Sequence, residues 1–369
     1  MEDRFTVGQA GTRIGAGAAD LLADIPLLDA VKGGPLSLLE RESERLMPLL
    51  LAARRRYGTV ALRLGDRATR HWLARSRNPY SRELAAVAAR VGTPGALLLN
   101  LSYEWACTSG VAADPAADPG TGGSRMLRTL DWPMNEIGRA VIVAAQDGGA
   151  GIYYTVTWPG YIGVLTAMAP GRFAIAINQP PMRRHSGALW LDWVVNRTSV
   201  WRGLSLPPSH LARAVCDTAA TYAEARRQLI ETPLCIPAFY TLAGAAAGEG
   251  CVIERTESRA AVHDQPAAIA NHWLRLRIPG RDRGTDSRGR REQMTALLDR
   301  PAVDDFDWVR PPIMSPTTRL AVVANAAAGT LLVRGYERSA PATRTFNLAG
   351  RVPGGTAHTR PGSGPGEKA

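Results

Sequence analysis

The sequence predicts an α+β fold made of helix layers and antiparallel sheets, and three observations carry that prediction. The first hundred residues repeat apolar positions at helical spacing. From about residue 97, short β-rich runs alternate with Gly, Pro and Asp punctuation. Helical patterns return at 186–202 and 208–231, ahead of a last series of strands. Strands, then helices, then strands is the order of a layered α+β chain rather than of repeating βαβ units.

Each element follows from its local pattern. LSLLERESERLMPLLLAARRRYG (36–58) keeps apolar residues on one helical face. Pro48 is expected to kink or divide it, because the ring removes an N–H and crowds the preceding turn. PYSRELAAVAARVG (79–92) is a second amphipathic helix, with Pro79 and Ser81 at its start and Gly92 just past its end. Both helices read as core-facing; the sharper reading makes them an apolar platform that meets a membrane or a lipid substrate. ALLLNLSYEW, RAVIVAAQ, GIYYTVTW, YIGVLTAMA and RFAIAIN read as strands, and ADPAADPGTGGS (113–124) as the loop of a surface hairpin. FYTLAGA, GCVIERTES, AAVHD and AAIANHWL read as further strands, RREQMTALLDR as a helix, and RLAVVANA and GTLLVRGYE as the closing strands. The Gly/Pro-rich end of the chain reads as disordered.

Composition narrows the function. At 45% hydrophobic residues the chain has enough apolar side chains for a full core, and it contains no run of about 20 apolar residues. The start, MEDRFTVGQAG, lacks the apolar stretch of a secretory signal, so a cytoplasmic location is expected. The formal charge is +11, yet every basic residue except Lys32 and Lys368 is arginine, and the arginines are scattered. That pattern reads as compositional bias. Attraction to acidic lipid or to an anionic substrate is a better use of the charge than nucleic acid. No Walker, dinucleotide, GxSxG or HExxH motif is present, and the six histidines show no ligand spacing, so neither cofactor nor metal is expected. Of the four cysteines, Cys216, Cys235 and Cys251 read as small buried hydrophobes. Cys107 is different, because RTLDW follows it at 128–132 with a charged pair, Arg128 and Asp131, that reads by itself either as a structural ion pair or as the companions of a reactive thiol. A dyad of Cys107 with His263 or His272 also stays open at this stage.

The blocks SRELAAVAARVGTPGALLLNLSYEWACTS, SRMLRTLDWP, TVTWPGYIGVLTAMAPGRFAIAINQ, ETPLCIPAFYTLAGAAAGEGCVIERTES, AIANHWL and RGTDSRGRRE run collinearly from 81 to about 292. Together they resemble the acid ceramidase and N-acylethanolamine acid amidase family, which is related to choloylglycine hydrolases and penicillin V acylases. The resemblance implies an N-terminal-nucleophile (Ntn) hydrolase with an αββα sandwich. It implies self-cleavage between Ala106 and Cys107, giving an αβ heterodimer. Residues 1–106 would be a helical α-subunit, 107–338 the catalytic β-subunit and 339–369 a disordered tail.

Residue by residue, the resemblance makes Cys107 the nucleophile, with its own freed α-amine as base. Arg128 and Asp131 would stand beside it, three apart and both facing the thiol. Asn271 would donate its amide to the oxyanion, and Arg290 would complete the centre, with Arg288 and Arg291 as rivals in the same cluster. Tyr103 and Glu104 would position the scissile bond, and Trp158 and Asn178 would contact substrate. The substrate would be a small N-acyl amide with a lipid-like or aromatic acyl group, met with possible peripheral membrane contact. An acyltransferase of the same fold, and a non-enzymatic basic protein binding lipid or nucleic acid, are the competing readings. Thr129 stands where the family usually has Asn, and the loop before Arg128 is longer than in the animal enzymes, which are lysosomal.

Overall fold

The computed structural model describes residues 22–101, 103–117 and 122–348. A strand, β1 (Leu27–Asp29), precedes helices α1 (Gly34–Arg41), α2 (Ser43–Tyr57), α3 (Thr59–Arg75), α4 (Ser81–Val91) and α5 (Ala96–Asn100). The long helix expected over 36–58 does divide, but at Glu42 rather than at Pro48, which lies inside α2. Arg45 fixes that break: its guanidinium bonds Glu42 Oε2, Asp24 O and Arg139 O, each at 2.8 Å. Pro48, lacking an N–H, then falls early in a new helix. Gly58 separates α2 from α3 at φ +76° and ψ 151°, a backbone state that a side chain would disfavour.

The run ALLLN, read above as strand, is helix α5. The reason is tertiary. Asp66 of α3 accepts hydrogen bonds from Gly95 N (2.7 Å) and Leu98 N (2.9 Å), capping the short helix from outside its own sequence. No local pattern encodes a cap supplied from thirty residues upstream.

Two sheets follow, antiparallel except where β1 joins the first. The first has the order β1, β4 (Ile142–Asp147), β5 (Ile152–Thr157), β6 (Thr166–Ala169), β7 (Phe173–Asn178), β9 (Ala238–Gly244), β10 (Gly250–Arg255), β11 (Ala260–Asp264). The second runs β12 (Ala267–Ile269), β2 (Ala106–Ala113), β3 (Ser124–Asp131), β14 (Thr318–Asn325), β15 (Thr330–Glu337), β16 (Ala340–Pro341), with β17 (Phe346–Asn347) also on β15. A small ladder pairs β8 (Met182–Arg183) with β13 (Gly280–Arg281). Helices α6 (Leu189–Ser199), α7 (Pro208–Thr218) and α8 (Tyr222–Glu231) come between β8 and β9, and α9 (Ser287–Leu297) precedes β14.

The layers are α, β, β, α. Helices α7 and α8 cover the first sheet at β7, β9 and β10; β2 and β3 of the second sheet stack on β7 and β9; α9 covers β2 and β12 from outside. Val111, Met126, Leu130, Phe239 and Val252 belong to the main apolar cluster, and Leu127, Met294, Leu297 and Trp308 to a second one under α9. Each such side chain stabilises the fold by about 1.5–3 kcal/mol. No helix among the described residues is long and apolar enough to cross a membrane.

Two expected boundaries shift. The segment before Cys107 is not purely helical, because β1 pairs in parallel with β4, Leu27 opposite Val143. Ordered chain also continues past 338. Ala23 exchanges backbone bonds with Ala342 (3.1 Å) and Arg344 (2.9 Å), and Phe346 is buried. Those contacts hold the 340s against the sheet despite their composition. The remainder of the expected tail, 349–369, lies outside the described residues, as do 118–121 of the hairpin loop.

Candidate active site

The hairpin β2–β3 builds the site. Cys107 lies opposite Leu130, and Ser109 opposite Arg128. Because side chains alternate along a strand, Cys107, Ser109, Arg128 and Leu130 share the face that looks onto the first sheet. Ser109 accordingly bonds Asn178 Oδ1 (3.0 Å) and Thr241 Oγ1 (2.7 Å) across the sheet interface. Arg128 Nη2 reaches Cys107 Sγ at 3.5 Å and donates to Ile177 O at 3.1 Å. The Nε and Nη1 groups of Arg128 are buried with no partner among the described residues.

Asp131 lies on the opposite face. A spacing of three on a strand cannot bring two side chains to one side, so the expectation that Arg128 and Asp131 both face the thiol fails. Asp131 stands opposite Ala106 at the strand end, toward α9. There it accepts from Thr318 Oγ1 (2.6 Å) and lies 3.9 Å from Arg290.

Arg290 is the member of its cluster that reaches the centre; Arg288 is exposed and Arg291 donates to Ala268 O at 3.1 Å. Asp286 caps α9 through Gly289 N (2.9 Å), which fixes the turn from which Arg290 projects. Its Nη1 donates to Cys107 O (2.8 Å) and Thr108 Oγ1 (2.9 Å). Its Nη2 donates to Asn271 Oδ1 (3.0 Å) and Arg283 O (2.9 Å), and its Nε to Thr285 O (2.8 Å). All five N–H groups are therefore engaged.

Asn271 links this arginine to Cys107. Its Oδ1 also accepts from Cys107 N at 3.0 Å, while Nδ2 donates to Gln179 O at 2.6 Å. Both neighbours of Oδ1 are donors, so the amide orientation is fixed by chemistry. The oxygen, not the amide hydrogens, faces the Cys107 nitrogen, and one Nδ2 hydrogen remains beyond the bond to Gln179. Gly284, at φ +68°, closes over the Ala106–Cys107 bond: a Cβ there would stand 2.9 Å from Ala106 Cβ and 3.1 Å from Arg290 Nη2.

Burial sets the protonation states. It pushes the Cys107 thiol up to about 11, against the pull of Arg128. It pushes the Asp131 carboxyl up to about 6, opposed by the Thr318 hydroxyl and the charges of Arg290 and Arg128. Burial also lowers Arg128 and Arg290 below the usual guanidinium range. Cys107 is fully buried, and a thiol raised this far is protonated at neutral pH.

The other expected residues divide. Tyr103 and Glu104 lie immediately before the bond. Tyr103 Oη meets Ser209 Oγ at 3.1 Å, and Glu104 accepts from Tyr57 Oη at 2.7 Å with Arg197 at 3.7 Å. Trp158 donates to Ile137 O (2.7 Å) and lines an apolar recess with Leu49, Leu99, Trp132 and Tyr161. Asn178 is buried; its amide donates to Ile269 O and Ala270 O, both at 3.3 Å, and its oxygen accepts from Ser109. It splints the two sheets, and its polar atoms are turned to protein rather than to a ligand. His272 is turned to Ser287 Oγ (2.8 Å) and His263 to Glu254 (3.5 Å), so neither supplies the dyad left open above. Thr318, Thr108 and Gln179 went unforeseen; each contributes one oxygen, and no motif marks such an atom.

No family model matches the chain. Acid ceramidase of Homo sapiens is 29% identical over 193 residues, covering 48% of this chain and 47% of that protein. The N-acylethanolamine-hydrolyzing acid amidase of Cavia porcellus is 27% identical over 183 residues, covering 48% of each. The chain spans about half the length of the curated relatives it matches. Among solved structures, an N-acylethanolamine-hydrolyzing acid amidase ortholog of Caenorhabditis elegans aligns at 24% identity and a TM-score of 0.45, over 60% of this chain and 93% of that one.

Proposed function

We propose, proceeding from the chain's kinship with the acid ceramidases and the N-acylethanolamine-hydrolyzing acid amidases, that it is a self-processing amide hydrolase acting on carbon–nitrogen bonds of linear N-acyl amides. The observation that carries the reading is the meeting of Cys107, Arg128, Asn271 and Arg290, with Asp131 behind them, around the Ala106–Cys107 peptide bond.

Cutting that bond turns the Cys107 N–H into an α-amine, a group that titrates at roughly 7.7–8.0 when free. It lies against Asn271 Oδ1 and can take the thiol proton. The sulfur then adds to the amide carbonyl carbon. The carbon–nitrogen bond breaks as the α-ammonium returns its proton to the leaving amine. Water adds to the resulting thioester, the carbon–sulfur bond breaks, and the thiol and a carboxylic acid are released. The remaining Asn271 Nδ2 hydrogen and the unpartnered N–H groups of Arg128 are the donors for the developing oxyanion. One such donor is worth about 3–4 kcal/mol of barrier. Asp131 holds Arg290, and through it the backbone of Cys107. The apolar recess at Trp132 and Trp158 supports an apolar acyl group.

The α-subunit and β-subunit of this reading stay together after the cut. Helix α6 supports peripheral contact with a membrane, since Leu189, Trp190 and Trp193 are exposed on it, Trp190 at 70%. Mass spectrometry of purified protein tests the processing, with a fragment beginning at Cys107 expected. A wholly intact chain that hydrolyses N-acyl amides would overturn the N-terminal nucleophile. Turnover with a competing amine tests the chemistry: free acid as the main product supports hydrolysis, and a new N-acyl amide would make the protein an acyltransferase.

A further inference from the structure

A cavity of about 300 Å³ lies beside the segment that precedes Cys107, and it is lined by Tyr103 and Glu104. Its charge is unbalanced. Arg183, Arg197, Arg202 and Arg283 face it, against Glu104 and Glu257. Arg183 and Glu257 neutralise each other through two bonds of 2.8 and 2.7 Å. The other ion pair, Arg197 with Glu104, is loose at 3.7 Å, too long for a hydrogen bond, although the two side chains are only 10% and 8% exposed. Arg197 Nη2 and Glu104 Oε1 are buried without hydrogen-bond partners among the described residues.

Arg283 is a partly buried cation there with few partners. Its Nε donates to Pro180 O at 2.9 Å, and its Nη groups have no hydrogen bond among the described residues. Burial lowers it to about 10, where it is still charged at neutral pH. Glu104, Arg197 and Cys107 all lie within electrostatic range of it.

We propose that this cavity recognises a carboxylate carried by the substrate, with Arg283 and Arg197 as the residues that read it. The inference rests on the amidase reading and adds a substrate class to it. A guanidinium presents a planar fork of donors that matches a carboxylate in two parallel bonds. Arg183 and Arg197 each face a glutamate and Arg202 is exposed, which leaves Arg283, partly buried, to meet a single carboxylate. Glu104 already sets a carboxylate against Arg197 in the intact chain. The substrate's carboxylate would sit either on the amine released or at the far end of the acyl chain.

Three amides of one acyl length separate these cases: N-decanoylglycine, the neutral N-decanoylethanolamine, and the mono-ethanolamide of decanedioic acid. The full chain is assayed in wild-type, Arg283→Gln and Arg283→Lys forms. One carboxylate substrate is expected to exceed the neutral amide in kcat/KM by about tenfold or more in the wild type. Arg283→Gln brings that ratio near one, and Arg283→Lys keeps part of it. A neutral amide that is the best substrate, or a preference that survives Arg283→Gln, overturns the proposal while leaving the amidase intact. Failure to hydrolyse any amide strikes the amidase reading instead. Calorimetric binding of N-decanoylglycine then decides the cavity: tighter binding to the wild type than to Arg283→Gln supports it, and equal binding overturns it.

Discussion

Arg290 and Arg128 approach the same cysteine from opposite faces of one hairpin, and their surroundings differ. On the face toward α9, Arg290 has every N–H engaged, and its targets include the carbonyl of Cys107 itself. On the face between the sheets, Arg128 holds the sulfur at 3.5 Å and leaves Nε and Nη1 buried without partners among the described residues. A buried donor left unpaired costs about 1–3 kcal/mol. One arginine is therefore bonded into the framework at every N–H, and the other keeps Nε and Nη1 without partners among the described residues.

The largest expected effect tests whether the two faces share a nucleophile at all. Cys107→Ala should abolish both the fragment beginning at residue 107 and amide turnover, read by mass spectrometry and product assay. Loss of a catalytic nucleophile removes about six orders of magnitude in rate. Retained turnover would place the chemistry elsewhere.

The next pair sharpens the contrast directly. Arg128→Met should lower kcat by about 100–1,000-fold, the scale of a lost oxyanion donor. Its melting temperature should change little, because few bonds are lost and an unpaired charge goes with them. Arg290→Met should do the reverse in emphasis. Removing a buried partner of this kind costs about 3–5 kcal/mol, so its melting temperature should fall by several degrees. Equal thermal effects in the two variants would erase the distinction between framework and reactive face.

Asp131 offers a test by pH. Burial raises its carboxyl to about 6 in the folded chain, above the value near 3.9 of an unfolded aspartate. The folded state therefore binds more protons than the unfolded state between those values. Stability is fullest below about 4 and is lost as pH rises toward about 6. Asp131→Asn, neutral at every pH, should flatten this window in thermal melts and be no less stable than wild type at pH 7, while turnover falls. A wild type that gains stability across that window would show the carboxylate to be favoured by its site.

The smallest effect concerns Thr318. Its hydroxyl donates to Asp131 and stabilises the charged form. Thr318→Val should move the acid limb of the kcat/KM profile to higher pH, with the alkaline limb unchanged. An unmoved acid limb would separate Asp131 from that titration.

Much of this was legible in the chain. The resemblance carried by RTLDW, AIANHWL and the arginine cluster pointed to Arg128, Asp131, Asn271 and Arg290, and the structure brings all four near Cys107. The helix limits at Ser81 and Gly92 held, and Gly92 ends the helix in the left-handed conformation that glycine allows. What stayed hidden was supplied from far away. Asp66 makes ALLLN a helix, and Thr318 reaches Asp131 across the neighbouring strand. The shared facing of Arg128 and Asp131 failed for a simpler reason, the two-residue period of a strand. The resemblance puts Asn178 in a block that lines the family's cleft, whereas its bonds to Ile269 and Ala270 leave no trace in sequence.

The strand β1 has a mechanical consequence. It is zipped to β4, and just before it Ala23 is bonded to Ala342 and Arg344. A nick at Ala106 breaks one covalent link and none of these. The two pieces would part only by unzipping a sheet edge and lifting Trp72 out of its buried place against Gly203. Their lifetime as a pair is then an unfolding time rather than a dissociation constant, so dilution alone should not separate them. A nicked molecule would migrate as one body under native conditions and as two only in denaturant.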